Sequence, residues 1–209
     1  MPVRSVIVGT GSTIPPRRVP NSDMLDREFL GPDGAKIPKS NQQILDQFES
    51  ITGIKERRYA DDSQVTSDLA SLAAADALDS SGVDRETLDT IIVAHNFGDV
   101  RAGSRHSDMV PALAARVKAQ LKIENPHAAA FDIVFGCPGW LQGVIVCDAM
   151  IRAGDIKRAM VIGADTLSRI SDPHDRDSLI YADGAGAVIM EARETAEKVG
   201  FLAHAVRSD

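Results

Sequence analysis

The residue in this sequence that is best placed to do chemistry is Cys137. It follows a short apolar run of strand length, residues 131–135, and Pro138 comes directly after it. A nearly all-apolar segment of about one helix length covers residues 140–151, and residues 158–163 form a second apolar run. This spacing predicts a strand–helix–strand unit with the thiol at the turn from the first strand into the helix.

That position distinguishes Cys137 from an ordinary buried cysteine. Proline is favourable at the first position of a helix, so Pro138 predicts that the helix begins there and that Cys137 lies at its N-terminus. Unpaired amides and the helix dipole favour a thiolate at such a place. Ligands also bind at the carboxyl ends of parallel strands. The alternative is a core cysteine, which is the interpretation for Cys147, because it lies in the middle of an apolar helix.

An α/β-hydrolase nucleophile elbow does not fit these residues. In that elbow the residue after the nucleophile donates its backbone N–H to the oxyanion. Here that residue is Pro138, which has no N–H, and the elbow spacing also fails because Gly136 stands directly before Cys137. An oxyanion would have to use the N–H of Cys137 itself and a second donor from elsewhere.

The composition excludes several classes of protein. With 209 residues, 44% hydrophobic and 25% charged, the chain predicts a globular protein without a signal peptide or a membrane span. A net charge of −7 argues against nucleic acid as a partner, and two cysteines indicate a reducing cytoplasm. The glycines after the first strand do not complete a dinucleotide fingerprint, because Ile14 and Pro15 interrupt it. No cofactor and no metal ion are expected.

Strands alternate with helices along most of the chain, which predicts an α/β layered fold with a mixed, mostly parallel sheet. A polar loop covers residues 96–106 at the carboxyl end of a buried strand, where loops often carry function. We divide the chain into residues 1–198 and residues 199–209. Within the second part, residues 200–206 read as the beginning of a strand with nothing after it to pair with. We therefore expect the chain to be a fragment or half of an assembly.

Five segments together resemble the N-terminal half of a β-ketoacyl-acyl-carrier-protein synthase III, in the thiolase-like superfamily. They are VGTGSTIPP near the start, TGIKERRYA from Thr52, FGCPGW around Cys137, GADTLSRISDPHDR from Gly163 and ADGAGAVIM from Ala182. These segments occur in the right order and cover most of residues 3–192. Each alone is weak, and the set is specific.

The resemblance implies a thiolase-like fold of two similar halves and a homodimer whose sheets meet across the interface. It also implies an acyltransferase, in which Cys137 takes an acyl group from acyl-coenzyme A or an acyl-carrier protein. A malonyl-carrier-protein thioester then loses carbon dioxide and attacks the acyl-enzyme. Two alternatives stay open. One is a secondary-metabolite ketosynthase or an O- or N-acyltransferase of the same fold, and the other is a non-catalytic half-protein that only dimerises.

The resemblance also implies three substrate-binding residues. Arg176 would contact the nucleotide end of coenzyme A, Leu167 would line the acyl pocket, and Val110 would reach into that pocket from the dimer partner. The position of Val110 often carries a larger side chain in the family, so a roomier acyl pocket is expected. The positions of the family's adenine-stacking tryptophan and a nearby arginine hold Gln47 and Ile51 here, or Phe48 with a one-residue shift.

The catalytic histidine and asparagine of the family lie in the second half, and no position here matches them. The five histidines of this chain are interpreted as surface or loop residues, and His95 among them lies at the carboxyl end of a predicted strand. They are His95, His106, His127, His174 and His204.

Overall fold

In a computed structural model that describes residues 1–207, the chain forms seven β-strands and four α-helices. The strands are β1 (Val3–Thr13), β2 (Arg17–Pro20), β3 (Glu56–Tyr59), β4 (Thr90–His95), β5 (Ala129–Val134), β6 (Arg158–Thr166) and β7 (Asp183–Glu194). The helices are α1 (Asn41–Thr52), α2 (Thr66–Ser81), α3 (Leu113–Gln120) and α4 (Gly139–Ala153). The predicted strand–helix–strand unit is therefore confirmed as β5–α4–β6.

Five of the strands form one mixed sheet in the order β1-β7-β6-β4-β5. β4 pairs in parallel with both β5 and β6, whereas β7 pairs antiparallel with β6 and with β1. Four strands consequently point the same way and only β7 opposes them. The expected mixed sheet is confirmed, although half of its strand pairings are antiparallel. β4, β5 and β6 bring their carboxyl ends together beside Cys137.

Helices cover both faces of the sheet, because the central strands are apolar on both sides. Ile91 of β4 packs with α2 and α3 in one buried cluster, whereas its neighbour Ile92 packs with α4 in another. Successive residues of a strand point to opposite faces, so a strand buried on both sides has a continuous apolar sequence. This arrangement confirms an α/β layered fold.

A smaller layer lies beside the main sheet. β2 and β3 pair antiparallel as a separate two-stranded sheet. α1 begins with Ser40 as its cap, whose hydroxyl accepts from the amide of Gln43, and it ends at Gly53. Buried side chains from this part, including Phe29, Ile44 and Leu179, form a third apolar cluster. The segment around Arg176 is therefore held against α1.

The end of the described chain differs from what its sequence predicted. The strand expected at residues 200–206 is wrong: no strand is assigned there, because this segment makes only one backbone bond to β1, from the amide of Phe201 to the carbonyl of Ser5. Residues 208 and 209, in the proposed second part of the chain, lie outside the described residues. Within residues 1–207, every helix is too short or too polar to span a bilayer.

Candidate active site

Cys137 lies exposed in a tight turn between β5 and α4. The turn is closed by the amide of Gly139, which donates to the carbonyl of Gly136 at 2.9 Å. Gly136 has a φ of 77°, a left-handed conformation that glycine adopts without strain. The helix begins at Gly139 with Pro138 as its N-cap, so Cys137 lies one residue further from the helix than the sequence predicted. The thiol nevertheless lies directly before the helix N-terminus.

The second cysteine has the opposite environment. Cys147 is fully buried in the cluster between α4 and the sheet. Burial raises the pKa of its thiol to about 12, so the thiolate is not accessible at neutral pH. The interpretation of Cys147 as a core residue is thus confirmed.

Two polar residues that the sequence did not single out lie next to the nucleophile turn. Asn96 follows β4, and its backbone and side-chain N–H groups both donate to the carboxylate of Asp165 on β6, at 2.9 and 2.7 Å. A Cβ on Gly136 would lie 3.9 Å from Oδ1 of Asn96. Burial raises the pKa of Asp165, against the lowering effect of the bonds from Asn96. The pair therefore braces β4 and β6 beside Gly136.

His95 is buried, so its interpretation as a surface or loop residue is wrong. Its Nδ1 accepts from the amide of Gly98 at 2.9 Å, which leaves the proton on Nε2. Nε2 then donates to Asp132 at 3.1 Å. The other four histidines are exposed, as expected. Both ring nitrogens of His95 take part in hydrogen bonds within the chain, and these bonds hold the loop after β4.

One cavity is lined both by Arg176 and by the α1 residues at the positions of the family's adenine-stacking tryptophan and nearby arginine. Its volume is about 300 Å³, and Gln47, Phe48 and Ile51 contribute to its wall. The Arg176 side chain is 56% exposed, with Nε 3.6 Å from the carboxylate of Asp177. The two segments that the resemblance assigned to nucleotide binding are therefore brought together. The guanidinium of Arg57 lies 5.8 Å from the centre of the Phe48 ring.

Leu167 and Val110 are in very different surroundings. Leu167 is half-buried and opens a short 3-10 turn directly after β6, close in sequence to Asp165. Val110 lies before α3 and is 87% exposed. Leu167 thus lies at the strand ends that frame the site, whereas Val110 is directed into solvent within this single chain.

The fold and the site together define a thiolase-like α/β protein with a cysteine at the turn from a strand into an apolar helix. The profile of the family described as 3-Oxoacyl-[acyl-carrier-protein (ACP)] synthase III matches residues 131–209. A β-ketoacyl-[acyl-carrier-protein] synthase III of Bradyrhizobium diazoefficiens is 38% identical over 193 residues, which cover 92% of this chain and 52% of the relative.

Solved structures give the same result. The 3-oxoacyl-[acyl-carrier-protein] synthase III of Aquifex aeolicus superposes with a TM-score of 0.73 at 31% identity, over 93% of this chain and 55% of that one. The corresponding enzyme of Pseudomonas aeruginosa gives 0.74 at 30% identity, over 96% and 54%. The chain thus spans about half the length of the relatives it matches. The predicted resemblance to the N-terminal half of a ketoacyl synthase III is confirmed.

Proposed function

We propose that this chain is the nucleophile-bearing half of a β-ketoacyl-acyl-carrier-protein synthase III-type acyltransferase, with Cys137 as the acyl acceptor. The observation that carries the proposal is the exposed thiol in the Gly136–Gly139 turn, between the carboxyl end of β5 and the N-terminus of α4. Residues 1–198 form the first half in this proposal, and residues 199–209 begin the second.

In the first half-reaction, the Cys137 thiolate attacks the carbonyl carbon of an acyl thioester and forms a new C–S bond. The thioester C–S bond then breaks, and the thiol of coenzyme A or of the carrier protein leaves after taking a proton. The amide of Cys137 makes no hydrogen bond within residues 1–207, so it is free to donate to the oxyanion. The second oxyanion donor comes from the other half of the protein.

In the second half-reaction, a malonyl-carrier-protein thioester loses carbon dioxide, and the resulting carbanion attacks the acyl carbon on Cys137. A C–C bond forms, and the Cys137 thiolate leaves. The histidine and asparagine that stabilise the carbanion are supplied by the second half. The reaction uses thioesters as substrates and needs no cofactor.

In this proposal, the phosphate-bearing part of the acyl donor binds beside Arg176. The guanidinium supplies a positive charge for the phosphates of coenzyme A or phosphopantetheine, and Phe48 and Ile51 supply an apolar wall. Leu167 lines the acyl pocket, and Val110 completes it from a second copy of the chain. The exposure of Val110 supports this arrangement.

The edge of the sheet supports a homodimer. Within residues 1–207, β5 pairs only with β4, so its other edge is open, and Phe131 and Val134 on this strand are 37% and 60% exposed. We assign the enzyme to the cytoplasm, since an unpaired nucleophilic thiol persists in a reducing compartment.

The test is intact-mass spectrometry of the purified protein after incubation with acyl-coenzyme A and with acyl-carrier-protein donors. We expect one acyl adduct, absent from Cys137→Ala and retained by Cys147→Ala, the matched variant at the buried thiol. A wild-type protein that forms no adduct with either donor, or an adduct that survives in Cys137→Ala, would refute the assignment.

A further inference from the structure

A second cavity, of about 200 Å³, has arginine side chains in its wall and shares none of its lining residues with the cavity beside Arg176. Arg27, Arg105 and Arg169 come from three separate parts of the chain and meet here. The hydroxyl-bearing residues Tyr59 and Ser178 also line it. We call this space the arginine cavity.

Positive charge dominates the lining of the arginine cavity. Among residues 1–207, no carboxylate lines it, in a protein whose net charge is −7. Arg169 is held in place because it donates to the backbone carbonyls of Val100 and Asp61. Within residues 1–207, Arg27 and Arg105 form no ion pair. Guanidinium groups that converge without a counter-charge repel one another, so an anion in the cavity would stabilise them.

One buried acidic group, Asp183, lies behind the cavity wall and bonds to the lining residue Ser168. Asp183 accepts from the amide of Ser168 at 2.9 Å, from its hydroxyl at 2.7 Å and from the amide of Ala60 at 2.8 Å. These neutral donors satisfy the hydrogen-bonding capacity of the carboxylate but leave its negative charge. One carboxylate against three arginines leaves the wall with a net positive charge.

A buried hydroxyl in the cavity wall also lacks a partner. Ser178 is only 3% exposed, and its Oγ makes no hydrogen bond within the described chain. Burying a hydroxyl without a partner is unfavourable, and such groups in native structures usually have a ligand or water as partner. An anion oxygen in the cavity would accept this bond after rotation of the Ser178 side chain, because Oγ itself is buried.

We propose that the arginine cavity binds the phosphate group of a small molecule. A phosphate dianion offers several strong acceptor oxygens, which match the forked N–H donors of arginine and the hydroxyl of Ser178. The volume of about 200 Å³ accommodates one such group with its first linking atoms. This site is separate from the acyl-donor site at Arg176, and it does not depend on the proposed acyl transfer.

The experiment is titration calorimetry of the purified protein with inorganic phosphate and with glycerol phosphate, at an ionic strength held constant with chloride. We expect saturable binding that weakens about ten-fold in Arg105→Gln and in Arg27→Gln. Ser178→Ala, a small change in a buried position, is expected to weaken binding less. The tighter of the two probes tells whether the occupant is free phosphate or a phosphomonoester.

Two matched variants make the result specific to this cavity. Arg101→Gln removes a charge from the same loop as Arg105 but outside the cavity, and Arg176→Gln removes the arginine of the other cavity. Arg101→Gln is expected to bind phosphate like the wild type. Arg176→Gln is expected to keep the phosphate site of the arginine cavity while losing any phosphate bound at the acyl-donor site. Absence of saturable binding, equal binding by Arg105→Gln and Arg27→Gln, or equally tight binding of acetate would each overturn the proposal. Loss of binding in Arg176→Gln alone would assign the phosphate to the acyl-donor site.

Discussion

At the scale of single residues, Asp132 connects more of the site's frame than any other side chain described above. Its carboxylate accepts from Nε2 of His95 and from the amides of Leu113 and Ala114, at 3.1, 2.6 and 2.8 Å. The last two are the first amides of α3, which has no side-chain cap of its own. Asp132 therefore caps α3 from a neighbouring strand.

We predict that Asp132→Asn destabilises the protein by about 2–4 kcal/mol at pH 7, because buried donors lose a charged acceptor. Burial acts to raise the pKa of Asp132, but the bonds from His95, Ala114 and Leu113 outweigh it and the pKa is lowered. The stabilisation is therefore present above the unfolded-state pKa and is lost as the pH falls through the folded-state pKa. Urea denaturation measured from pH 7 down to pH 3 checks this.

The expected signature is a difference between wild type and Asp132→Asn that shrinks at the acid end. Asp108→Asn is the control, since Asp108 pairs with Arg116 at the exposed surface, and it should change stability far less. A difference of the same size at every pH would contradict the role assigned to the charged carboxylate.

Val110 gives a prediction about the length of the acyl group that the protein accepts. If it borders the acyl pocket of a partner chain, Val110→Phe fills space and Val110→Ala adds it. We expect Val110→Phe to lower the rate of Cys137 acylation by octanoyl donors about ten-fold relative to acetyl donors, with the opposite trend in Val110→Ala. A series of acyl-coenzyme A donors followed by intact mass measures it. A chain-length profile that is the same in all three proteins, or a wild type specific for acetyl, would exclude the roomier pocket.

At the scale of elements, the contact between β1 and α2 depends on two glycines. A Cβ on Gly11 would collide with the backbone of Ala73 and Ala77 and lie 2.8 Å from the carbonyl carbon of Asp76, and one on Gly9 would lie 2.6 Å from the carbonyl oxygen of Ala77. The helix thus packs directly against the strand backbone. This contact explains why the glycines lie inside β1, although the sequence placed them after the first strand.

We predict that Gly11→Ala destabilises the protein by about 1–3 kcal/mol or more, because neither backbone can move away without disturbing the sheet. Gly186→Ala is the matched variant on the adjacent strand, where a Cβ meets only the carbonyl oxygen of Gly11 at 4.0 Å. It should stay within about 1 kcal/mol of the wild type. Thermal or urea denaturation compares them, and equal effects would show that the close contact does not limit stability.

The elements themselves could be predicted where local signals were strong. The apolar runs of β4, β5, α4 and β6 and the glycine after α4 are local features of sequence, so these elements and the position of Cys137 followed from them. The strand expected at residues 200–206 was also predicted from an apolar run. This prediction was wrong because an apolar run alone does not supply a partner strand.

The neighbours of Cys137 could not be predicted in this way. Asn96 and Asp165 are 69 residues apart and meet because β4 lies between β5 and β6 in the sheet. Sequence order does not reveal that arrangement, nor that His95 turns inward to Asp132. The available signal was weaker: polar residues follow each of these strands, where parallel strands place functional groups.

At the scale of the whole molecule, the open edge of β5 lies at one end of the main sheet. An exposed edge strand with apolar side chains invites pairing with another strand. Pairing of β5 with β5 of a second copy would extend the sheet across a two-fold axis and bury Phe131 on both chains. It would also fix the neighbouring segment that carries Val110.

We therefore predict that the wild type is a dimer in analytical ultracentrifugation and that Phe131→Lys weakens the dimer by at least about ten-fold, because a charge at the edge opposes strand pairing. Leu72→Lys is the matched control, since Leu72 is a 52% exposed leucine on α2, away from β5. It should stay dimeric with the same dissociation constant. A monomeric wild type, or a Phe131→Lys protein that dimerises normally, would exclude β5 as the interface. If Phe131→Lys becomes monomeric and folded, its acyl chain-length profile should also lose its dependence on residue 110, because that side chain would no longer reach a partner's pocket.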